Sequence, residues 1–160
     1  NLYLNDKLIG EKETGKENYI ATFDVPYEPG TLKAVNSKGK EEFVLKTAGE
    51  PAAIRLIADR SKIKACKNDL SYVKIELVDK NGNVVPETSL PVKIECTGKG
   101  TVIAGGNAAY ADMESFRSLT PNTFRGKAIA IVQPDGEKGD IQVKVSAKGL
   151  EDASIVITTY

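Results

Sequence analysis

The fold of this chain is decided by the stretch Tyr72-Val73-Lys74-Ile75-Glu76-Leu77-Val78-Asp79. Its apolar residues Val73, Ile75 and Leu77 alternate with polar ones, and successive side chains of a β-strand point to opposite faces. The pair Asn81-Gly82 follows, which is typical of a two-residue hairpin turn. The pattern therefore predicts a half-buried strand that ends in a turn.

The same period of two runs through most of the chain, and no window of 11 residues shows a convincing 3.6-residue period. Short strands at this spacing are typical of β-sandwiches. We therefore predict an all-β protein made of two tandem immunoglobulin-like β-sandwich modules. The predicted strands are residues 1–5, 8–9, 19–25, 31–36, 41–47, 52–58, 62–65, 71–79, 84–85, 91–97, 101–104, 124–133, 141–147 and 154–159.

A stretch with Gly and Pro at residues 47–51 marks the boundary between the modules. Residues 1–48 are predicted to form a small β-sandwich, and residues 51–160 an immunoglobulin-like sandwich. A unit of about 50 residues buries little surface on folding. We therefore expect either that the first module packs against the second or that its N-terminal strands belong to the parent chain. The chain begins inside an alternating strand, without Met, and is interpreted as part of a longer polypeptide.

The composition excludes several classes of function. The 22 basic and 22 acidic residues cancel, so no long-range field attracts nucleic acid or an anionic membrane. No apolar run approaches the roughly 18 residues that span a bilayer. The chain has no His and only two Cys, which removes His-dependent nucleophiles, His-ligated metals and four-thiolate sites. We expect no cofactor, no metal, no nucleic-acid partner and no membrane insertion.

The two cysteines lie on faces of different character. Cys96 shares a strand face with Val92 and Ile94, whereas Cys66 is out of phase with Ile63. A disulfide needs Cβ vectors that point towards each other. Two free thiols are therefore favoured over a disulfide, although the spacing permits either.

Carboxylates are the remaining route to hydrolysis, since glycosidases use a pair of them. Most acids alternate with the apolar face, as Glu76 and Glu95 do, and are expected to be solvated. Asp112 and Glu114 in the irregular stretch 105–123 are better candidates, but a polar loop supplies little of the burial that raises a carboxyl pKa. We predict no catalytic residue in this chain.

Two motifs that resemble ligand loops are interpreted as turns. Asp79-Lys80-Asn81-Gly82-Asn83 begins like a calcium loop, but Val84 and Leu90 replace the Gly and Glu that an EF-hand needs. Gly105-Gly106-Asn107 follows a strand but lacks the Lys-bearing helix start of a phosphate loop.

Tyrosines near turns or strand ends offer surfaces for stacking on carbohydrate, although packing or interface roles are favoured because the chain has no Trp. Two of these tyrosines, together with polar residues of the irregular stretch, form the candidate ligand or interface set. The set is Tyr27, Asn107, Tyr110 and Glu114.

Several blocks carry a resemblance to a known family. In the first module they are residues 2–10 (LYLNDKLIG), 25–35 (VPYEPGTLKAV) and 46–54 (KTAGEPAAI). In the second they are residues 79–86 (DKNGNVVP), 114–116 (ESF) and 124–133 (FRGKAIAIVQ). Together they resemble the C-terminal accessory modules of bacterial, β-galactosidase-like enzymes of glycoside hydrolase family 2. The immunoglobulin-like last domain of those enzymes is also similar to invasin and intimin repeats.

The resemblance implies a non-catalytic, structural role beside the catalytic domains of the same polypeptide, which would hydrolyse β-galactosides by a retaining two-carboxylate mechanism. The family's acid/base residue lies in an Asn-Glu dipeptide, and none occurs in this sequence. The resemblance also implies a periplasmic, extracellular or cell-surface location, and a homo-oligomer formed through the parent enzyme. The alternatives are an immunoglobulin-like repeat of a bacterial surface adhesin and a carbohydrate-binding module.

Overall fold

The structure, a computed structural model, describes residues 1–14, 19–36 and 38–160. These residues contain β-strands and no helix, which confirms the all-β prediction. None of them forms a helix of the length and apolarity that crossing a membrane requires. The strands are β1 Leu2–Leu4, β2 Lys7–Gly10, β3 Thr31–Val35, β4 Glu42–Lys46, β5 Ala53–Ala58, β6 Lys62–Ile63, β7 Ser71–Val78, β8 Val92–Gly98, β9 Gly100–Gly106, β10 Lys127–Pro134, β11 Gly139–Ala147 and β12 Ala153–Thr159.

The chain divides into two compact units, Asn1–Thr47 and Ala48–Tyr160. In the first unit the described strands form one antiparallel sheet in the order β2-β1-β3-β4. Side chains that pair directly across antiparallel strands share a face. One face therefore carries two apolar rows, which are Leu2, Ala34 and Phe43 in one row and Leu4, Leu32 and Leu45 in the other.

The second unit is a sandwich of two four-stranded sheets, with strand orders β5-β7-β10-β9 and β6-β12-β11-β8. Alternate residues of both sheets point inward and form one core, as the period of two predicts. The two-layered fold expected for this part of the chain is thereby confirmed. The buried core residues are Ile54, Ile63, Val73, Ile75, Leu77, Val92, Ile94, Val102, Ala128, Ala130, Val132, Ile141, Val143, Val145 and Ile157.

The strand predicted at residues 19–25 is wrong. This segment makes no ladder, although Ala21, Phe23 and Val25 alternate half-buried with exposed neighbours, as a strand would. Alternation reports which side chains face inward, whereas a strand also needs a neighbouring backbone with free hydrogen-bonding groups. Part of the predicted polar loop at 10–18 and one residue of the predicted hairpin turn at 37–40 lie outside the described residues.

The predicted strand at 124–133 is interrupted at its start. Phe124 and Lys127 exchange backbone hydrogen bonds of 2.8 and 3.0 Å around Arg125 and Gly126, whose φ angles are 52° and 71°. Two positive φ angles in sequence are the signature of a type I′ hairpin turn. Strand β10 therefore begins at Lys127, after the turn. The strand predicted at 84–85 is reduced to one bridge between Val78 and Val84.

Glu76 is buried, which corrects the expectation that it is solvated. It is only 4% exposed, while Glu95 remains exposed. β7 is an interior strand, and its neighbour β5 places Arg55 directly opposite Glu76. The Arg55 guanidinium donates from Nε and Nη2 to Glu76 Oε2 at 2.8 and 2.6 Å. The Glu76 carboxylate is thus covered by a charge pair rather than by water, while Tyr72 and Lys74 on the same face of β7 remain exposed.

Both cysteines are free thiols. Cys96 is half-buried against the sandwich core, on the face shared with Val92 and Ile94, and Cys66 is exposed. Burial raises the pKa of the Cys96 thiol.

Candidate functional site

Three of the four candidate residues lie on one loop, the β9–β10 loop, residues 107–126. Backbone hydrogen bonds fasten this loop to the sandwich. Gly105 N–H donates to Phe116 O at 2.7 Å, and Ile94 N–H donates to Leu119 O at 2.8 Å. Val92 N–H reaches Pro121 O at 3.0 Å. The irregular stretch is therefore held against two strands, β8 and β9, although it forms no strand of its own.

A network of side-chain hydrogen bonds shapes the first half of the loop. The Asn107 Nδ2 group donates to Asp112 Oδ2 at 2.6 Å and to Asn122 O at 2.9 Å, and its Oδ1 accepts Ala109 N–H at 2.7 Å. Asn122 Nδ2 donates to Glu114 Oε1 at 2.9 Å. Asn107 and Glu114 therefore act as internal braces of the loop.

The Phe116 ring lies close to the end of β9. A Cβ atom added to Gly106 would lie 2.7 Å from the Phe116 ring, which is closer than van der Waals contact permits. Glycine at this position therefore lets the ring rest directly on the strand backbone. The ring is nevertheless 69% exposed.

The loop presents apolar side chains to solvent at intervals of three residues. Tyr110 is 100% exposed and Met113 is 95% exposed. A cleft of about 30 Å³ is lined by Gly106, Asn107 and Phe116 among others, and neither Tyr110 nor Met113 lines it. It has room for only about one or two water molecules. The loop thus offers a surface rather than a pocket. We name these residues the apolar loop residues: Tyr110, Met113, Phe116 and Leu119.

Sequence reasoning identified Tyr110 but missed Met113 and Phe116 as part of the same exposed set. The sequence does show apolar residues that recur inside an otherwise polar, irregular stretch. It could not be interpreted from sequence, because an apolar residue outside a strand can either anchor the loop or face water.

Tyr27 belongs to the first unit, where it is exposed in the turn segment before β3. The same unit has an open groove of about 1030 Å³, and Tyr27 is not among the residues that line it. Its apolar wall is formed by Leu2, Phe23, Ala34 and Phe43. The groove therefore lies along the apolar sheet face and has no direct relation to the predicted Tyr27 site.

Among the described residues, the carboxylates whose pKa values depart clearly from normal are all shifted downward. Asp79 has a pKa of about 2, because its carboxylate accepts hydrogen bonds from the backbone N–H of Gly49 at 2.9 Å and from Asn83. The backbone N–H of Lys64 and the side chain of Arg60 lower the pKa of Asp69. Lys93 lowers the pKa of Glu95. These surroundings stabilise ionised carboxylates, whereas a general acid needs a raised pKa.

The Asp79 turn is built as a hairpin turn, in agreement with the interpretation from sequence. Asp79 Oδ1 accepts the N–H groups of Asn81 at 2.9 Å and Asn83 at 2.8 Å. Oδ1 therefore points into the turn's own backbone, while Oδ2 accepts Gly49 N–H and the Asn83 side chain. In the described parts of the chain, no group of three or more Cys, Asp and Glu side chains is arranged to hold a metal ion.

Comparison with known proteins places this architecture in a family. Residues 54–156 match the glycoside hydrolase family 2 C-terminal domain 5, and residues 1–43 match a domain of unknown function, DUF4982. The solved structure of a glycoside hydrolase family 2 member from Bacteroides cellulosilyticus is similar, with a TM-score of 0.89 and 37% identity. The match covers 98% of this chain and 22% of that one.

Two curated relatives cover nearly the whole chain. Beta-galactosidase BoGH2A of Bacteroides ovatus is 32% identical over 98% of this chain. A beta-glucuronidase of Formosa agariphila is 27% identical over 98% of it. The chain spans 19% and 16% of the length of these two relatives. Because the domain 5 match extends over more than half of its residues, the chain belongs to the glycoside hydrolase family 2 C-terminal domain 5 family and is a C-terminal accessory region of such a glycosidase.

Proposed function

We propose that this chain is a non-catalytic structural part of a β-galactosidase-like glycosidase, and that it supports the catalytic part of the same polypeptide. The observation that carries the proposal is the state of its carboxylates. Asp112 and Glu114, the best candidates for acid/base chemistry, hold the loop together and are exposed. Glu76, the one strongly buried glutamate among the described residues, is paired with Arg55. Neither arrangement supplies an acid and a nucleophile facing a sugar.

The substrates in the relatives' names support the same proposal. One relative is named a β-galactosidase and another a β-glucuronidase, yet both match this chain almost end to end. A region shared between enzymes named for different sugars is better suited to support than to substrate selection. We further propose that the parent hydrolyses β-galactosides, since the β-galactosidase shares the higher identity. Its retaining two-carboxylate mechanism and its location in the periplasm or outside the cell are proposed from the family resemblance alone.

The experiment is a comparison of two purified proteins, this chain and the full-length polypeptide that contains it. Nitrophenyl β-galactoside and nitrophenyl β-glucuronide are offered to both. We expect cleavage by the full-length protein only. Cleavage by the 160-residue chain, lost in Glu114→Gln, would contradict the non-catalytic role.

We propose in addition that further strands, N-terminal to Asn1, cover the apolar face of the first unit's sheet. Phe43 and Leu45 on β4 are 68% and 54% exposed on this face, and an antiparallel sheet normally packs one face on a core. Phe43→Lys should lower the thermal midpoint of the full-length protein but not that of this chain. Equal effects in both proteins would exclude the covering strands. Glu42→Lys, at an exposed site on the opposite face of β4, is the control.

A further inference from the structure

The β9–β10 loop combines a fixed shape with exposed apolar side chains. Its backbone is fastened to β8 and β9, and its polar side chains bond to one another. Tyr110 and Met113 are almost fully exposed all the same. A loop that is internally braced does not need these side chains for its own stability. Their apolar surface is therefore available to a partner, and little ordering entropy would be lost on binding.

The chemistry of the loop favours a protein surface over a glycan. Carbohydrate sites combine an aromatic platform with polar groups that fix the sugar hydroxyls. In this loop the amides of Asn107 and Asn122 and the carboxylates of Asp112 and Glu114 are engaged with one another. Facing outward beside the exposed Arg117 side chain are a phenol, a thioether, a phenyl ring and the partly exposed Leu119. These groups are suited to an apolar protein patch.

The size of the surface favours a partner on the same polypeptide over a second copy of the chain. Stable interfaces between separate proteins use about 20–30 residues on each side, whereas this loop offers four exposed apolar side chains. A tethered partner is present at an effective concentration in the millimolar range, so a small contact is sufficient. The curated relatives carry about four fifths of their length outside the matched region.

We propose that three of the apolar loop residues, Tyr110, Met113 and Phe116, dock the second unit onto another domain of the same glycosidase polypeptide. The occupant is an apolar patch on that domain. This inference rests on the proposed function, because it names the surface through which the support is given.

Met113 makes the proposal testable without an engineered probe, since it is the only Met of the 160 residues. The rate at which Met is oxidised to the sulfoxide increases with the solvent exposure of its side chain. The full-length protein is treated with hydrogen peroxide, and the peptide containing Met113 is followed by mass spectrometry. The same protein unfolded in guanidinium gives the rate for an uncovered side chain. We expect Met113 to oxidise at least about tenfold more slowly in the native protein than in the unfolded protein, because docking buries the thioether.

Other outcomes overturn the inference. Equal rates in native and unfolded protein mean that Met113 is not covered. Protection that disappears on dilution to monomer assigns the surface to a second copy, and protection that appears only with added oligosaccharide assigns it to a glycan. Each of these results leaves the non-catalytic role intact, because that role is tested by the cleavage assay.

A variant tests whether Tyr110 is part of the docking surface. Tyr110→Ser should remove no contact within the loop, since the Tyr110 side chain is fully exposed. We expect this variant to restore rapid oxidation of Met113 in the native full-length protein. Val156→Ser, at a half-exposed site on β12, is the matched control and should leave protection unchanged. Protection that survives Tyr110→Ser as fully as the control would overturn the assignment of Tyr110.

Discussion

At the scale of single residues, the Asp79 carboxylate has a strongly lowered pKa. It is 4% exposed and accepts hydrogen bonds from Gly49, Asn81 and Asn83. Each of these bonds favours the ionised form, which is why the pKa falls from 3.8 to about 2. The carboxylate therefore ties the start of the second unit to the first hairpin of its sandwich.

This pKa predicts a specific pH dependence of stability. The folded pKa lies below the unfolded value, so the stabilisation is fully present above about pH 4 and is lost as the pH falls towards 2. Asp79→Asn should lower the urea midpoint at pH 7, and the difference from the native chain should shrink between pH 4 and pH 2. Asp152→Asn, at an exposed pair with Lys144, is the control. A difference that stays constant with pH would contradict the prediction.

The two thiols should differ in reactivity. Cys66 is exposed, whereas Cys96 is half-buried, has a raised pKa and places Sγ 3.6 Å from Gly100 O. Because the thiolate is the nucleophile, we expect iodoacetamide at pH 8 to modify Cys66 at least about tenfold faster than Cys96. Peptide mass spectrometry over time measures both rates. Failure of either thiol to react before reduction would indicate a disulfide instead.

At the scale of elements, the turn before β10 shows how one short motif positions a whole loop. Arg125 and Gly126 reverse the chain so that β10 starts at Lys127. Gly126 N–H donates to Thr88 O at 2.9 Å, which fixes the turn to the preceding connection. The alternating pattern of residues 124–133 continues through this turn. The pattern therefore could not reveal the turn, and only the dipeptide Arg-Gly hinted at it.

Gly126→Ala should be clearly destabilising. Its φ angle of 71° disfavours a side chain, and the new Cβ would lie 2.3 Å from Val85 O. We expect a loss of about 2–3 kcal/mol in the free energy of unfolding. Gly149→Ala has a similar φ of 83° but no atom within 4 Å of the new Cβ, and should cost only about 1 kcal/mol. Equal losses in urea unfolding would show that the contact with Val85 is unimportant.

At the scale of the whole molecule, the second unit is held together by one apolar core between its two sheets. β7 supplies three fully buried residues, Val73, Ile75 and Leu77, from the middle of one sheet. β11 supplies Ile141, Val143 and Val145 from the other. Each position alternates with an outward residue, so both sheets contribute to the same interior.

Ile75→Ala should therefore destabilise the second unit by about 2–5 kcal/mol, because it removes buried methylenes and leaves a cavity. Ile129→Ala, on β10 and 38% exposed, is the control and should cost less than about 1.5 kcal/mol. Urea unfolding followed by circular dichroism gives both values. A similar loss at the two sites would contradict the assignment of Ile75 to the core.

The sequence by itself determined the strands, their inward faces and most turns, because these depend on alternation and on short turn motifs such as Asn81-Gly82. It also determined the family, through blocks of residues along the whole chain. The tertiary structure alone decided three other matters. It buried Glu76 by placing Arg55 opposite it on β5, left residues 19–25 without a ladder, and exposed Met113 on a braced loop. Each of these depends on contacts between residues distant in sequence, and a local pattern does not specify which backbone or side chain those contacts will supply.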